Sequence, residues 1–373
     1  MKISPFLTEH FYAQYEFNTP YQLCNSDCET LNVEELLKMA GVSLEEFGEL
    51  SLGYTESLGN PILREQIAAT YETVKPDEVI ELGTPVEGIY LVAQAVLDPG
   101  DEVIVLSPAY DSLINTFEHV VGVEKVHRWE FTPADDCWEL DIAQLKQLIT
   151  PRTKLLVVNF PHNPTGYLPS QTQLEDVARI AKENQITLFC DEMYFGLANS
   201  GTQVIQSAVD VTDNAIVLSG LSKTYGLPGL RTGWLVVKDG ELRKNLINWK
   251  FYTSICPPAP SEFLAMAALK VRDDLIHRSV QQIEHNLGLA EEFFQRWSDL
   301  FIWRRPMAGS VALVEMKVES VSAFAAVLAE QAGVLIQPAI TLGASDQFLR
   351  MGFGRAAFGQ ALEKFEEYLK GYT

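Results

Sequence analysis

The sequence lacks any apolar run long enough to cross a lipid bilayer. Its longest apolar runs, residues 186–190 and 215–218, fall far short of the ~20 residues that a transmembrane helix needs. Residues 1–15 carry acidic and aromatic side chains early and lack the basic stretch followed by an apolar one that is typical of a secretory signal. We therefore expect a soluble, cytoplasmic protein.

Basic residues are scarce. Lys and Arg number 28 against 50 Asp and Glu, which gives a formal net charge of -22. Nucleic acids and anionic membranes are bound by clustered Lys and Arg, so this excess of acid argues against both kinds of partner. We interpret the charge as a source of solubility.

Cysteines are few and scattered along the chain. The five are Cys24, Cys28, Cys137, Cys190 and Cys256. Cys24 and Cys28 are close in sequence, but no second pair follows them at the spacing of zinc ligands. We expect free thiols in a reducing compartment and no bound metal.

The middle of the chain alternates between two patterns. Short β-branched runs predict buried strands at residues 102–106, 155–159, 187–190 and 216–219. The helical spacing of apolar residues predicts helices at residues 60–71, 88–97 and 173–184. Such a succession of strand, helix and strand predicts an α/β fold with a mostly parallel sheet.

The last third of the chain changes character. Helices are predicted at residues 274–297, 321–331 and 356–368, and strands at residues 312–318 and 348–353. This pattern is typical of an α+β unit. At ~150 residues per domain, the length suggests two domains. We predict a large domain at residues 37–270 and a small domain made of residues 1–36 and 271–373.

Polar side chains follow three of the predicted strands. Asn163 comes after the strand at residues 155–159, Asp191 follows Cys190, and Lys223 comes after the strand at residues 216–219. Taken singly, these residues are typical of a turn, a helix cap or a solvated surface lysine. In open parallel sheets, however, ligands bind at the carboxyl ends of the strands. Neighbouring strands would bring an amide, a carboxylate and an amine together in one crevice.

Pyridoxal 5'-phosphate (PLP) uses this set of groups. Its aldehyde needs a lysine amine, and its pyridine nitrogen needs an acid that keeps the ring protonated. Its phenolate oxygen accepts hydrogen bonds from donors such as Asn and Tyr. Its phosphate binds hydroxyls, an arginine and backbone amides at the start of a helix, and its ring stacks on an aromatic side chain.

With these residues in place, the sequence resembles the class I/II aminotransferases, a family of fold-type I PLP-dependent enzymes. The resemblance runs from about Leu52 to Arg355 and is most specific at residues 222–234 (SKTYGLPGLRTGW), which are similar to the family's lysine motif. It implies a large domain whose mostly parallel sheet is sandwiched by helices, together with a smaller α+β domain. It also implies transfer of an amino group between an amino acid and a 2-oxo acid through a Schiff base on Lys223.

The same resemblance implies roles for the residues around the cofactor ring. Lys223 would form the Schiff base and move the proton, and Asp191 would pair with the pyridine nitrogen. Asn163 and Tyr194 would donate hydrogen bonds to the phenolate oxygen. Tyr110, in the segment SPAY, would stack on the ring.

The phosphate would be held by residues from two segments. Ser222 and Arg231 belong to the lysine motif, while Thr84, Pro85 and Val86 match the family's phosphate turn. Pro85 has no N–H to donate. We therefore expect the phosphate to depend more on Thr84, Val86 and side chains.

Three further residues bear on the subunit partner and the substrate. Tyr54 resembles the tyrosine that reaches the phosphate of a neighbouring subunit, which implies at least a homodimer. Arg350 is similar to the arginine that binds the substrate carboxylate. Arg355 lies close enough in sequence to compete for the same role.

Three other functions share part of this sequence pattern. A PLP-dependent lyase or cyclising synthase of the same fold would use the same lysine, aspartate and arginine, and would turn over without a 2-oxo acid. A nicotinamide-dependent dehydrogenase is suggested by residues 352–357 (GFGRAA), but the chain ends before the acidic residue that such a site requires. A non-catalytic PLP-binding regulator is disfavoured because no DNA-binding helix pair is evident and the charge is wrong for DNA. We interpret His162 as a turn residue, and the contacts of residues 21–26 stay unassigned.

Overall fold

The computed structural model describes residues 3–372 as a succession of strands and helices. The strands are β1 (Tyr21–Gln22), β2 (Val79–Leu82), β3 (Glu102–Ser107), β4 (Val126–Glu130), β5 (Thr132–Pro133), β6 (Trp138–Glu139), β7 (Thr153–Asn159), β8 (Thr187–Asp191), β9 (Ala215–Gly220), β10 (Gly233–Val237), β11 (Phe301–Ile302), β12 (Val311–Met316), β13 (Val334–Leu335), β14 (Gln337–Pro338) and β15 (Phe348–Gly352). The helices are α1 (Leu7–Tyr15), α2 (Val33–Ala40), α3 (Leu44–Gly48), α4 (Pro61–Ala68), α5 (Pro85–Val96), α6 (Ser112–Val121), α7 (Ile142–Leu148), α8 (Gln171–Glu183), α9 (Ala208–Val211), α10 (Gly240–Phe251), α11 (Ala259–Lys270), α12 (Arg272–Arg296), α13 (Val321–Ala332) and α14 (Phe358–Tyr372). Short 3-10 helices cover Pro76–Glu78, Val123–Lys125, Pro228–Leu230 and Ala339–Leu342.

The central sheet has the strand order β2-β10-β9-β8-β7-β3-β4. The pairs from β9 through β4 are parallel, and β10 runs antiparallel to both of its neighbours. The prediction of an α/β fold with a mostly parallel sheet is therefore confirmed.

Strand β7 shows how this sheet is buried on both faces. Leu156 and Val158 belong to the core on one face, with side chains from α4, α8 and α11. Leu155 and Val157 belong to the core on the other face, with side chains from α5, α6 and α10. Because the side chains of a strand alternate between the faces and helices cover both, the strand needs a continuous apolar run.

A second sheet follows in the last third of the chain. Its order is β11-β12-β15-β14, and all its pairs are antiparallel. Phe293, Val314, Met351 and Phe365 form part of a separate core, which includes side chains from α12, α13 and α14. Strand β1 pairs with β13, so the N-terminal segment joins this part of the molecule. The domain boundaries at residues 36 and 270 stay a prediction.

One predicted helix begins earlier than its apolar pattern indicated. The pattern placed it at residues 88–97, whereas α5 spans Pro85–Val96. Proline is favoured in the first turn of a helix because its fixed φ suits the helix and an N–H there has no helical partner. Within residues 3–372, no helix combines the length and the apolarity that crossing a membrane requires.

Helix α1 is held against the loop that follows β3. The backbone N–H of Leu7 donates to Asp111 Oδ1 at 3.0 Å, and the N–H of Thr8 donates to Asp111 Oδ2 at 3.2 Å. Thr8 Oγ1 donates to the same carboxylate at 2.5 Å. Asp111 thus satisfies the free amides at the start of α1 and fixes the helix beside the central sheet.

The segment after β1 runs closely along β15. The N–H of Gly352 donates to Leu23 O at 2.8 Å, and Ser310 Oγ donates to Ser26 O at 2.6 Å. A Cβ on Gly352 would lie 1.8 Å from Asn25 O, which is far inside a van der Waals contact. Only glycine permits this approach of the two backbones, which brings Ser26 to the edge of the central sheet.

We expect Gly352→Ala to lower the free energy of unfolding by about 1–3 kcal/mol, because the added methyl group meets backbone that cannot rotate away. The matched control is Gly288→Ala in α12, where a Cβ meets no atom within 4 Å. That substitution should stabilise the protein by about 0.5–1 kcal/mol through helix propensity. Denaturant unfolding of both variants measures the two effects, and equal effects would contradict the close approach at Gly352.

Candidate active site

Three neighbouring parallel strands end at one edge of the central sheet. Strand β7 ends at Asn159, β8 at Asp191 and β9 at Gly220. In the ladder, Asn159 lies opposite Asp191, and Asp191 lies opposite Leu218. The side chains that follow these strands in sequence therefore lie close together in space.

A cavity of about 470 Å³ lies at this edge. Of the residues predicted for the site, those that line it are Pro85, Val86, Tyr110, Asn163, Asp191, Tyr194, Ser222, Lys223, Arg231 and Arg350. Thr84 lies beside the cavity through a hydrogen bond from Arg231. Tyr54 does not line it. The structure thus brings together nearly all of the predicted groups within one chain.

The amine of Lys223 donates a hydrogen bond to Ser26 Oγ at 2.8 Å. Burial lowers the pKa of Lys223, and the nearby Asp27 carboxylate opposes this by raising it. A lowered pKa increases the fraction of free amine at neutral pH, and the free amine is the nucleophilic form.

Two adjacent acids follow β8, and they face different surroundings. Asp191 lines the cavity, accepts a hydrogen bond from the N–H of Met193 at 3.0 Å, and has its pKa raised to about 6 by burial. Glu192 points away and accepts hydrogen bonds from Ser207 Oγ at 2.7 Å and from the N–H of Ala208 at 2.8 Å. Asp191 is therefore the acid available to a bound molecule.

The two candidate arginines of β15 and its following loop differ in their pairing. Arg355 forms a two-point ion pair with Asp27, with Nε–Oδ1 at 3.2 Å and Nη2–Oδ2 at 2.7 Å. Arg350 is 2% exposed and donates to Asn163 Oδ1 at 3.2 Å and to Tyr12 OH at 2.7 Å. Its Nε has no partner within residues 3–372. Of these two arginines, Arg350 is therefore the one with an unpaired donor for a ligand.

The start of α5 forms one end of the cavity. Arg231 Nη2 donates to the N-cap residue Thr84 at 2.8 Å, and the Arg231 backbone adopts the left-handed conformation with φ 55. That conformation is unfavourable for a residue other than glycine and is often retained at binding sites. Buried Ser222 Oγ has no partner in the described part of the chain. Hydroxyls, a guanidinium and a helix N-terminus together make an anion site.

Pro85 has a packing role at this end. A Cβ on Gly233 would lie 2.7 Å from Pro85 Cγ, and a Cβ on Gly220 would lie 3.1 Å from the same atom. The two glycines therefore let the start of α5 pack closely on the ends of β9 and β10. This packing accounts for a proline at the first position of α5, although it has no N–H to donate.

The three predicted tyrosines lie in contrasting places. Tyr110 OH donates to Glu9 Oε1 at 2.8 Å, and its ring centroid lies 5.0 Å from that of Phe6. Tyr54 is 95% exposed. Buried Tyr194 lines the cavity, and burial raises its pKa to about 12, so it remains a hydrogen-bond donor at neutral pH.

Sequence reasoning missed several residues of the site. Asn159 Nδ2 donates to Asp191 O at 2.7 Å, and its Oδ1 accepts from the N–H of Asn163 at 2.7 Å, so it joins the two loops. Its position as the last residue of a predicted strand was a usable signal. Tyr12 and Ser26 gave no such signal, because nothing local in the sequence places the N-terminal segment at the sheet edge.

His162 has a structural place beside the cavity. It is 1% exposed, its Nδ1 lies 2.7 Å from Thr165 Oγ1, and its ring centroid lies 4.5 Å from that of Phe131. Burial lowers its pKa to about 3, so it is neutral. These contacts agree with its interpretation as a residue of the turn.

The groups around the cavity fit PLP. Lys223 offers an amine of lowered pKa, Asp191 a buried carboxyl for the pyridine nitrogen, and Arg231 a guanidinium at the helix start for the phosphate. The unpartnered Ser222 Oγ and Arg350 Nε leave two buried donors for a bound molecule. Buried polar atoms are rarely left without a partner, so both indicate a ligand.

Comparison with known proteins agrees with this geometry. The family model "Aminotransferase class I and II" matches residues 22–362. Among curated relatives, an aspartate aminotransferase from Sulfurisphaera tokodaii is 31% identical over 229 residues, which are 60% of this chain and 57% of that enzyme. A capreomycidine synthase from Streptomyces vinaceus is 28% identical over 318 residues, which are 85% of this chain and 80% of that protein.

A solved structure covers the full chain. The crystal structure of a PLP-dependent aminotransferase from Streptococcus suis has a TM-score of 0.93 and 27% sequence identity, and the match covers 100% of this chain and 99% of that one. The match extends over both the central sheet and the C-terminal sheet. The chain therefore belongs to the class I and II aminotransferase family and is a PLP-dependent aminotransferase.

Proposed function

We propose that the chain moves an amino group between an amino acid and a 2-oxo acid, with Lys223 as its central residue. The observation that carries this proposal is the convergence of the Lys223 amine and the Asp191 carboxyl on one cavity, next to buried Arg350 with an unpaired donor. When bound, PLP supplies an aldehyde that joins amines and a protonated ring that accepts electron density from the substrate carbon.

Lys223 has two tasks in this proposal. Its amine holds the cofactor, and after the substrate amine has taken its place it acts as the base that moves a proton at the substrate α carbon. Burial supports both tasks because it lowers the pKa of Lys223. Ser26 Oγ, 2.8 Å from Nζ, orients the amine.

Asp191 and Arg350 orient the cofactor and the substrate, respectively. Asp191 as a carboxylate keeps the pyridine nitrogen protonated, and Asn163 and Tyr194 donate to the phenolate oxygen. Arg350 binds the substrate carboxylate through the face that carries its unpaired Nε. The ion pair of Arg355 with Asp27 argues against Arg355 in that role.

The phosphate lies at the start of α5 in this proposal. Ser222 Oγ, Thr84 Oγ1 and the Arg231 guanidinium supply donors, and the N–H of Val86 adds the helix N-terminus. Pro85 contributes packing and the fixed φ of the first turn.

We also propose that the enzyme is a cytoplasmic homodimer. Leu52, Tyr54 and Tyr252 are large side chains that are 81% or more exposed, and exposed apolar patches commonly mark subunit interfaces. Tyr54 would then reach the phosphate of the neighbouring subunit. All five cysteines are free thiols, which supports a reducing compartment.

A lyase or cyclising synthase of the same fold is the second candidate. The similarity to a protein named capreomycidine synthase supports this second candidate. The two candidates differ in one requirement, because repeated turnover by an aminotransferase consumes a 2-oxo acid and turnover by a lyase or synthase does not.

Lys223→Ala should lower turnover by about 100-fold or more, since it removes the proton-transfer base. The rate is measured with an amino acid and a 2-oxo acid in excess PLP, so that weakened cofactor retention does not limit it. Lys182→Ala, an exposed lysine of α8, is the control and should leave the rate unchanged. Turnover by Lys223→Ala within a few-fold of the parent enzyme would refute the proposal.

The pH dependence of stability tests Asp191. Burial raises its pKa from 3.8 to about 6, so between these values the folded protein retains a proton that the unfolded chain has released. Ionisation of Asp191 therefore lowers the free energy of unfolding of the cofactor-free protein as pH rises through this window. We expect Asp191→Asn to remove this loss, which amounts to at most about 3 kcal/mol.

Thermal unfolding of cofactor-free parent and Asp191→Asn protein, below and above the window, measures this difference. Glu81 and Glu192, whose pKa values burial raises as well, are present in both proteins and cancel in the comparison. With PLP bound and at a pH above this range, the parent protein should be more stable than Asp191→Asn, because the ring cation then stabilises the ionised carboxylate. A pH-independent difference would count against a buried, titrating Asp191.

A further inference from the structure

The cavity contains four basic side chains, and each has a partner or a role. Lys223, Arg231 and Arg350 take part in the proposed reaction. The fourth, Arg355, is held by Asp27 through two hydrogen bonds of 3.2 and 2.7 Å. Among the described residues that line the cavity, no unpaired basic side chain is left for a second carboxylate of a substrate.

Two acidic side chains of the cavity, in contrast, have no ionic partner within the described part of the chain. Glu9 and Glu16 both line it, and the proposed reaction uses neither of them. The Glu9 carboxylate accepts one hydrogen bond, from Tyr110 OH at 2.8 Å. The Glu16 carboxylate has no hydrogen bond or ion pair with any of residues 3–372. Glu9 and Glu16 therefore face the cavity without an ion pair among residues 3–372.

These acids share one face of α1. Glu9, Tyr12 and Glu16 are separated by three and four residues, which places them in a row along the helix. Tyr12 OH accepts a hydrogen bond from Arg350 Nη2 at 2.7 Å. The acidic face of α1 is thus directly connected to the proposed carboxylate site, where the buried guanidinium keeps its Nε unpaired.

Helix stability does not explain the position of Glu16. It occupies the C-cap of α1, and an acid at a helix C-terminus is repelled by the partial negative charge of the free carbonyls. Partial burial, together with the charges of Asp27 and Glu9, raises the pKa of Glu16, and the more weakly acting charges of Arg355 and Lys223 only partly oppose this rise. A cation bound in the cavity would relieve both of these unfavourable interactions.

We propose that the amino donor carries a cationic side chain, an amine or a guanidinium, which Glu16 and Glu9 bind while Arg350 holds its carboxylate. This inference rests on the proposed function. A dicarboxylic donor would instead place its second carboxylate against two acids. The unpaired carboxylates of Glu9 and Glu16 therefore select against aspartate and glutamate and for basic amino acids.

The test compares donors that differ in charge and little else. The PLP-loaded enzyme is mixed with L-arginine, L-citrulline or L-glutamate without an acceptor, and the change in cofactor absorbance gives kcat/KM for the first half of the reaction. Citrulline is a neutral analogue of arginine with nearly the same shape. We expect arginine to exceed citrulline by about tenfold or more, as for hydrogen bonds to a charged group, and glutamate to react most slowly.

The double variant Glu9→Gln/Glu16→Gln should reduce the arginine-to-citrulline ratio by about tenfold, and Glu16→Gln alone should account for most of that loss. Glu292→Gln, an exposed glutamate of α12 outside the cavity, is the control and should leave the ratio unchanged. A ratio near unity in the parent enzyme, or faster reaction with glutamate, would overturn the cationic donor and leave amino transfer intact. Absence of any absorbance change with all donors would overturn the proposed function itself.

Discussion

The register of three parallel strands is the constraint on which the rest of the site depends. Asn159 and Asp191 lie opposite each other at the ends of β7 and β8, and β9 ends beside them at Gly220. A one-residue shift in either pairing would turn Asp191 or the loop before Lys223 toward the opposite face of the sheet. Helices cover both faces of the sheet, so each of these strands buries apolar side chains on both sides.

The strand ends alone would form an open crevice. The N-terminal segment covers this crevice and so changes the surroundings of the polar side chains in it. Helix α1 is bound through Asp111, and residues after β1 are bound along β15 by the close approach at Gly352. Around the site, Lys223 is partly buried and Asp191 is buried, and this shifts both pKa values toward the neutral forms. The site therefore depends on contacts between segments that are 104 residues apart in one case and 326 in another.

The difference between local strand patterns and long-range contacts explains what the sequence could predict. The strands, the parallel sheet and the residues after each strand follow from local apolar patterns, and the structure places Asn163, Asp191 and Lys223 on one cavity. The acidic face of α1 was missed because its contacts are long-range, as in the hydrogen bonds from Thr8 to Asp111. The start of α5 at Pro85 was missed because helical periodicity gives no weight to a proline in the first turn.

We infer that PLP is held by Lys223 and by no other lysine. Borohydride reduction of the purified protein after addition of PLP, followed by peptide mapping, measures this directly. Lys250 is the informative competitor, since burial lowers its pKa as well but it lies outside the cavity. We expect loss of the visible absorbance and a pyridoxyl label on Lys223. A label on Lys250, or a protein that stays colourless when PLP is added, would contradict it.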